Sequence, residues 1–136
     1  MTNSASSAAP SRNRVIAYWV STLVLATECI VGGVLGIVRY RPYAGFLQHL
    51  GYPIYFMTII GVWYMLAGLA LLAPRFPRIK EWAYAGLVIN YAGAAASHLA
   101  MGDGVGALVA PAIFTSFTVT SWALRPPVRR LAGSQL

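Results

Sequence analysis

Long apolar runs broken by short clusters of cations organise the chain. Residues 15–38 contain one charged side chain, Glu28, and residues 42–74, 82–102 and 104–124 contain none. A stretch of roughly 20 apolar residues is enough to cross the hydrocarbon core of a bilayer as a helix. The pattern therefore predicts four spans: about Val15–Val38, Ile54–Ala73, Glu81–Met101 and Val105–Leu124. A 15-residue aromatic-rich connection, Arg39–Pro53, joins the first two, and Ala44–Leu50 within it has the makings of a short interfacial helix or a cap. Pro74–Lys80 reads as a short turn with two prolines, and Gly102-Asp103-Gly104 as a hairpin into the last span. Arg125-Pro126-Pro127 stops that span.

Composition sharpens this into a class. Charged residues make up 10 % of the 136, where a soluble domain carries about 25 %. Such a chain cannot cover a globule with polar surface, which excludes a soluble enzyme and a secreted disulfide scaffold. The predicted fold class is an all-α integral membrane four-helix up-down bundle. Residues 1–14 are expected to be a disordered cytoplasmic tail, 15–126 the membrane domain, and 127–136 a second cytoplasmic tail.

The formal net charge of +7 would point to nucleic acid in a soluble protein. Here the cations sit at the ends of the apolar runs, so no nucleic-acid partner is expected. Arg12, Arg14, Arg75, Arg78, Lys80, Arg125, Arg129 and Arg130 fall on one side of the membrane; only Arg39 and Arg41 fall on the other. The positive-inside rule then places both termini in the cytoplasm. Cys29 is the sole cysteine and lies inside the first span, so neither an internal disulfide nor a CxxC redox pair is available.

Small residues predict how the spans approach one another, because lipid supplies no hydrophobic force between helices. Gly32 and Gly36 form one GxxxG seam. Gly86, Asn90, Gly93 and Ser97 form another within about 60° of helical arc. Packing within one bundle is the preferred reading of both. In the last span, Thr115, Ser116, Thr118, Thr120 and Ser121 follow Pro111 and are expected to satisfy backbone groups freed by the proline.

Two side chains stand out as candidate chemistry. A carboxylate at helix centre costs ~2.5–3.5 kcal/mol on insertion scales, so Glu28 should face the interior and find a partner. Ser21, Gly32, Gly36 and Arg39 share its face. His98 shares a face with Tyr91, Tyr84 and Glu81, all within roughly 40°. Counting 13 residues from Val15 and 17 from Glu81 puts Glu28 and His98 at similar depth. The sequence therefore predicts that the two face each other and share a proton, making them the catalytic candidates. Asn90, Tyr84, Tyr91, Ser97 and Arg39 are the candidate ligand-binding residues. Against this stands the plainer reading of Glu28 and His98 as buried hydrogen-bonding groups. Two histidines without spaced partners are a poor metal signal, and no metal is expected.

The segments Tyr18-Trp19, Gly45-Phe46, Leu50-Gly51-Tyr52-Pro53 and Pro74-Arg75 occur in a telling order. They are followed by Lys80-Glu81-Trp82-Ala83-Tyr84-Ala85-Gly86, Gly93-Ala94, Ser97-His98 and Gly102-Asp103. Their order and spacing resemble the DoxX-like family of small four-span bacterial membrane proteins. Glu81, Ser97, His98 and Asp103 match positions that recur in that family's pattern; Glu28 does not. The resemblance implies a multi-pass protein of the bacterial inner membrane. It also implies a membrane subunit or scaffold associated with quinone-linked or oxidative-stress redox systems, with a bound quinone or lipid. The expected partners are the lipid bilayer and a redox protein, with a homo-oligomer as a further expectation. Two alternatives come from the residues themselves. One is a small membrane enzyme doing acid–base chemistry on a lipophilic substrate with Glu28 and His98. The other is a carrier for a small solute or protons.

Overall fold

The computed structural model describes residues 10–131, and these form helices joined by short turns. In chain order they are α1 (Arg12–Ile37), α2 (Arg41–His49), α3 (Ile54–Leu72) and α4 (Pro77–Ala100). A 3₁₀ turn (Val105–Leu108) leads into α5 (Val109–Leu124), and a last 3₁₀ turn spans Pro127–Arg129. No strand occurs among the described residues. Most of the tail expected over 1–14, and the end of the one expected over 127–136, lie outside the described residues. Within them the first helix starts three residues earlier than the apolar run suggested, taking Arg12 and Arg14 into α1.

Three helical segments are long and apolar enough to cross a membrane: Arg12–Ile37, Ile54–Leu72 and Val105–Leu124. α4 falls short on apolarity, not length. Its first turns carry Arg78, Lys80 and Glu81, and its body is rich in Ala, Gly, Tyr and Asn. α1 packs on α3 and α5, and α4 closes the set by packing on the same two helices. Exposed residues such as Val20, Leu23, Ile59, Val62, Leu69 and Val119 are apolar, the reverse of a soluble bundle. That surface is stable only against lipid.

The α1–α3 contact is the tightest, and glycine makes it so. A methyl group on Gly36 would lie 2.8 Å from Gly61 Cα and 2.8 Å from the Met57 carbonyl oxygen. Gly33 meets the Gly61 carbonyl at 3.0 Å on the same terms. The working seam is thus Gly33 and Gly36 against Gly61, inside the bundle. Gly32 instead lies against the Tyr64 ring. Gly86 and Gly93 of the second expected seam meet nothing within 4 Å, so that stripe is open.

Turn chemistry places the rest. α2 occupies the long connection and buries Ala44 and Leu47 against Met57 of α3. Pro77 opens α4 in the first helical turn, where its missing N–H costs nothing. Gly102, at φ 75°, ends α4 with the Asp103 N–H bonded to the His98 carbonyl at 3.0 Å. This left-handed cap folds Asp103 back over the last turn. In α5, Pro111 sits in the first helical turn and interrupts no interior bond. Thr115, Ser116 and Thr118 accordingly donate to the carbonyls four residues before them.

Candidate functional site

Glu28 finds its partner on α4, but the partner is Tyr91. The Tyr91 hydroxyl donates to Glu28 Oε2 at 2.7 Å, and the adjacent Cys29 thiol approaches the same oxygen at 3.5 Å. Tyr64, projecting from α3, completes the group: its ring centroid lies 6.4 Å from that of Tyr91. Asn90 Nδ2 donates to the Tyr64 hydroxyl at 2.7 Å. One carboxylate, two phenols and one amide thus form a connected cluster in an otherwise apolar interior. Leu25, Leu71 and Leu87 pack in the same core, with Phe114 stacked on Tyr91 at 5.6 Å.

The expected Glu28–His98 pair is not formed. Glu28 is level with Tyr91, and His98 is seven residues further along α4, about 10 Å at 1.5 Å per residue. Counted from the observed starts at Arg12 and Pro77, Glu28 stands 16 residues along α1 and His98 21 residues along α4, so the count itself already separates the two by more than one turn.

His98 belongs to a different constellation. Its Nδ1 lies 2.6 Å from Asp103 Oδ2, and His49 Nε2 lies 2.8 Å from Oδ1 of the same carboxylate. Hydrogen bonds from His98 first, and then His49, hold the Asp103 carboxyl below the usual carboxylate range. The clasp ties the end of α2 to the turn between α4 and α5. Phe46 of α2 covers the His98 ring at 5.3 Å.

The other expected site residues are dispersed. Ser97 accepts or shares a hydrogen bond with the Tyr52 hydroxyl at 2.7 Å, near the His98 end. Arg39 is exposed and donates to Thr58 Oγ1 at 3.0 Å, so it does not reach Glu28. Tyr84 lies toward the opposite end, where its hydroxyl, Ser121 and Thr22 form a buried chain at 2.8 and 2.7 Å. Below them Arg125 pairs with Glu81 at 2.7 Å, and the Trp122 indole donates to the other Glu81 oxygen at 2.9 Å. Of the seven candidates, the structure brings together Glu28, Tyr91 and Asn90. It adds Tyr64, which the sequence reading missed. The signal was there: Tyr64 is the one polar group of α3 on the face of Gly61 and Gly68, three and four residues away.

This cluster has an opening. Between α3 and α4 lies a groove of about 640 Å³, lined by Trp63, Leu66, Ile79, Trp82, Gly86 and Ile89 among others. Tyr64 and Asn90 are its polar wall. Trp82 is 81 % and Ile89 72 % exposed, so the groove opens sideways, toward lipid. Its volume falls within the few hundred to 1,000 Å³ of small-molecule sites, and the mix of apolar lining with a few placed polar groups is typical of them. Asn90 spends one amide N–H on Tyr64 and keeps a second N–H and its carbonyl for another partner.

The DoxX-like family model matches residues 20–121, three-quarters of the chain, from within α1 to within α5. The chain belongs to the DoxX-like family. Together with its apolar helices this makes it a membrane protein. No curated protein and no solved structure matches this DoxX-like chain.

Proposed function

We propose that this DoxX-like protein is a four-span inner-membrane subunit that holds a lipophilic ligand in the α3–α4 groove. The ligand's polar head meets Tyr64 and Asn90. The observation that carries this reading is the hydrogen-bonded Tyr64–Asn90 pair, set as the polar wall of an apolar groove that faces lipid. A quinone fits that chemistry: a flat apolar ring with carbonyl oxygens that accept hydrogen bonds, one within the reach of Asn90. A lipid ester carbonyl would use the same donors. No electron-donating cofactor motif is present in the sequence, so a redox role would be exercised with a partner protein.

α4 supports four spans instead of three. At 24 residues it is about 36 Å long, more than the ~30 Å of a hydrocarbon core. It also lies between α3 and α5, both of which qualify as spans alone. An up-down arrangement with both termini cytoplasmic agrees with the distribution of cations. The acid–base enzyme reading placed Glu28 and His98 in one site, and their separate partners favour the ligand-holding reading over it. Glu28 and Tyr91 stand behind the groove's polar wall, with the Tyr91 ring against that of Tyr64.

Trp63 and Trp82 report on the groove directly. Titration with a short-chain quinone should quench their fluorescence saturably, and Asn90→Leu should weaken that quenching about tenfold, the loss of one good hydrogen bond. Linear, unsaturable quenching that is the same in Asn90→Leu would end the reading.

A further inference from the structure

Where the two ends of the chain meet, cations crowd in pairs onto single oxygens. Arg14 Nη2 of α1 and Arg130 Nη2 of the C-terminal segment both donate to the Ala123 carbonyl, at 3.5 and 3.1 Å. Lys80 Nζ and Arg129 Nη1 both donate to the Leu71 carbonyl, at 3.1 and 3.2 Å. Arg125 lies close enough for its charge, with that of Arg129, to act on Lys80. Five cations thus share one end of the bundle.

The sequence has only three acidic side chains to set against them. Glu28 is bonded to Tyr91 in mid-bundle, Asp103 to the two histidines at the far end, and Glu81 to Arg125. None reaches Arg14 or Arg130. Arg125 itself has a buried Nη1 with no hydrogen-bond partner. Two guanidinium groups drawn to one carbonyl repel each other unless an anion bridges them, and the low dielectric beside a membrane strengthens that repulsion.

The remaining donors are sufficient for such an anion. Arg130 commits its Nε–H to the Arg125 carbonyl at 2.8 Å and one Nη2–H to Ala123. Of five N–H groups per guanidinium, three on Arg130 and four on Arg14 have no hydrogen bond among the described residues. Arg14 is exposed and Arg130 half-buried, so both are accessible. Planar guanidinium forks match phosphate oxygens in pairs. One turn up α5 from Ala123, Val119 is 50 % exposed and offers an apolar strip for a chain attached to that phosphate.

We propose that Arg14 and Arg130 together bind the phosphate of one anionic phospholipid, which fastens the C-terminal segment to the start of α1. This site is separate from the α3–α4 groove and does not depend on what occupies it.

The test uses the full chain in non-ionic detergent, delipidated and titrated with phosphatidylglycerol, phosphatidylcholine or inorganic phosphate, and read by native mass spectrometry. Expected is one tightly held phosphatidylglycerol, weakened about tenfold in Arg14→Gln and in Arg130→Gln and unchanged in Arg12→Gln. Phosphatidylcholine should not saturate the site. Equal binding of phosphatidylcholine, or equal loss in Arg12→Gln, would reduce the effect to diffuse surface charge and overturn the proposal. Displacement of the lipid by inorganic phosphate at matched concentration would overturn the lipid as source. Should Arg130→Gln fail to fold, Arg14→Gln decides alone, because that side chain is exposed and, among the described residues, hydrogen-bonds the Ala123 carbonyl alone.

Discussion

Tyr91 donates its hydroxyl to Glu28 Oε2 at 2.7 Å, linking the centre of α4 to the carboxyl group in the centre of α1. That bond makes a carboxyl group tolerable at this depth. Tyr91→Phe keeps the ring and its stacking on Phe114 but leaves Glu28 short of a donor. The cost should be about 1–3 kcal/mol of stability. Measured by thermal unfolding in detergent, Tyr91→Phe and Glu28→Leu should be non-additive, since each removes the same interaction. Glu28→Gln and His98→Ala, by contrast, should add, because the two residues share no partner.

The glycine seam gives a steric prediction. A methyl group on Gly36 would press on Gly61 Cα and the Met57 carbonyl, backbone atoms that cannot rotate away. Gly36→Ala should destabilise by about 1–3 kcal/mol through overpacking. Gly93→Ala, with open space around it, should be close to neutral or slightly stabilising through helix propensity. Paired thermal melts of the two variants would check the contrast.

Lys80 has a structural assignment that its charge alone conceals. It is fully buried, and its ammonium donates to the carbonyls of Ala70, Leu71 and Ala73 at the end of α3. Those are the carbonyls a helix end leaves unpaired. Lys80→Met retains the buried stem but removes the donor from the Ala70 and Ala73 carbonyls, and should cost about 1–3 kcal/mol. Arg78→Met, exposed one turn-step away, should cost far less in the same assay.

The His49–Asp103–His98 clasp carries a pH dependence with a definite sign. Asp103 has a folded pKa below its ordinary value of 3.8, because His98 and His49 hydrogen-bond the charged form. A depressed carboxylate pKa contributes stability above the ordinary value and loses it as pH falls through the folded one. The stability gap between wild type and Asp103→Asn should therefore persist down to about pH 4 and close below it. Melting temperatures of both proteins from neutral pH to pH 2 would measure the gap.

Much of this architecture was legible in the sequence, and the failures have specific causes. Hydrophobic run length located all four long helices to within a few residues, because the requirement to satisfy backbone groups in lipid leaves little choice of structure. Glu28 and Asn90 announced themselves as polar groups where polarity is costly. Their partners did not. Which residue faces Glu28 depends on the relative height of two helices, and the four-residue difference between the counts to Glu28 and to His98 is itself about one turn. GxxxG spacing likewise selected Gly32 over Gly33, because a motif fixes a face only when the helix rotation is known. The Arg14–Arg130 and Lys80–Arg129 pairs join residues far apart in sequence, so counting cations per side could not reveal them.

The central claim is that the α3–α4 groove holds a lipophile against Tyr64 and Asn90. Gly86 lines that groove and has nothing within 4 Å of where a Cβ would stand, so Gly86→Leu projects a side chain into the groove from an unobstructed Cβ. Native mass spectrometry of the purified protein, followed by extraction and identification of the bound species, is the most direct test. The wild type should carry one equivalent of a quinone or other lipophile, and Gly86→Leu should lose it while keeping its melting temperature. A wild type with only bulk phospholipid, or an equal load in Gly86→Leu, would contradict the account.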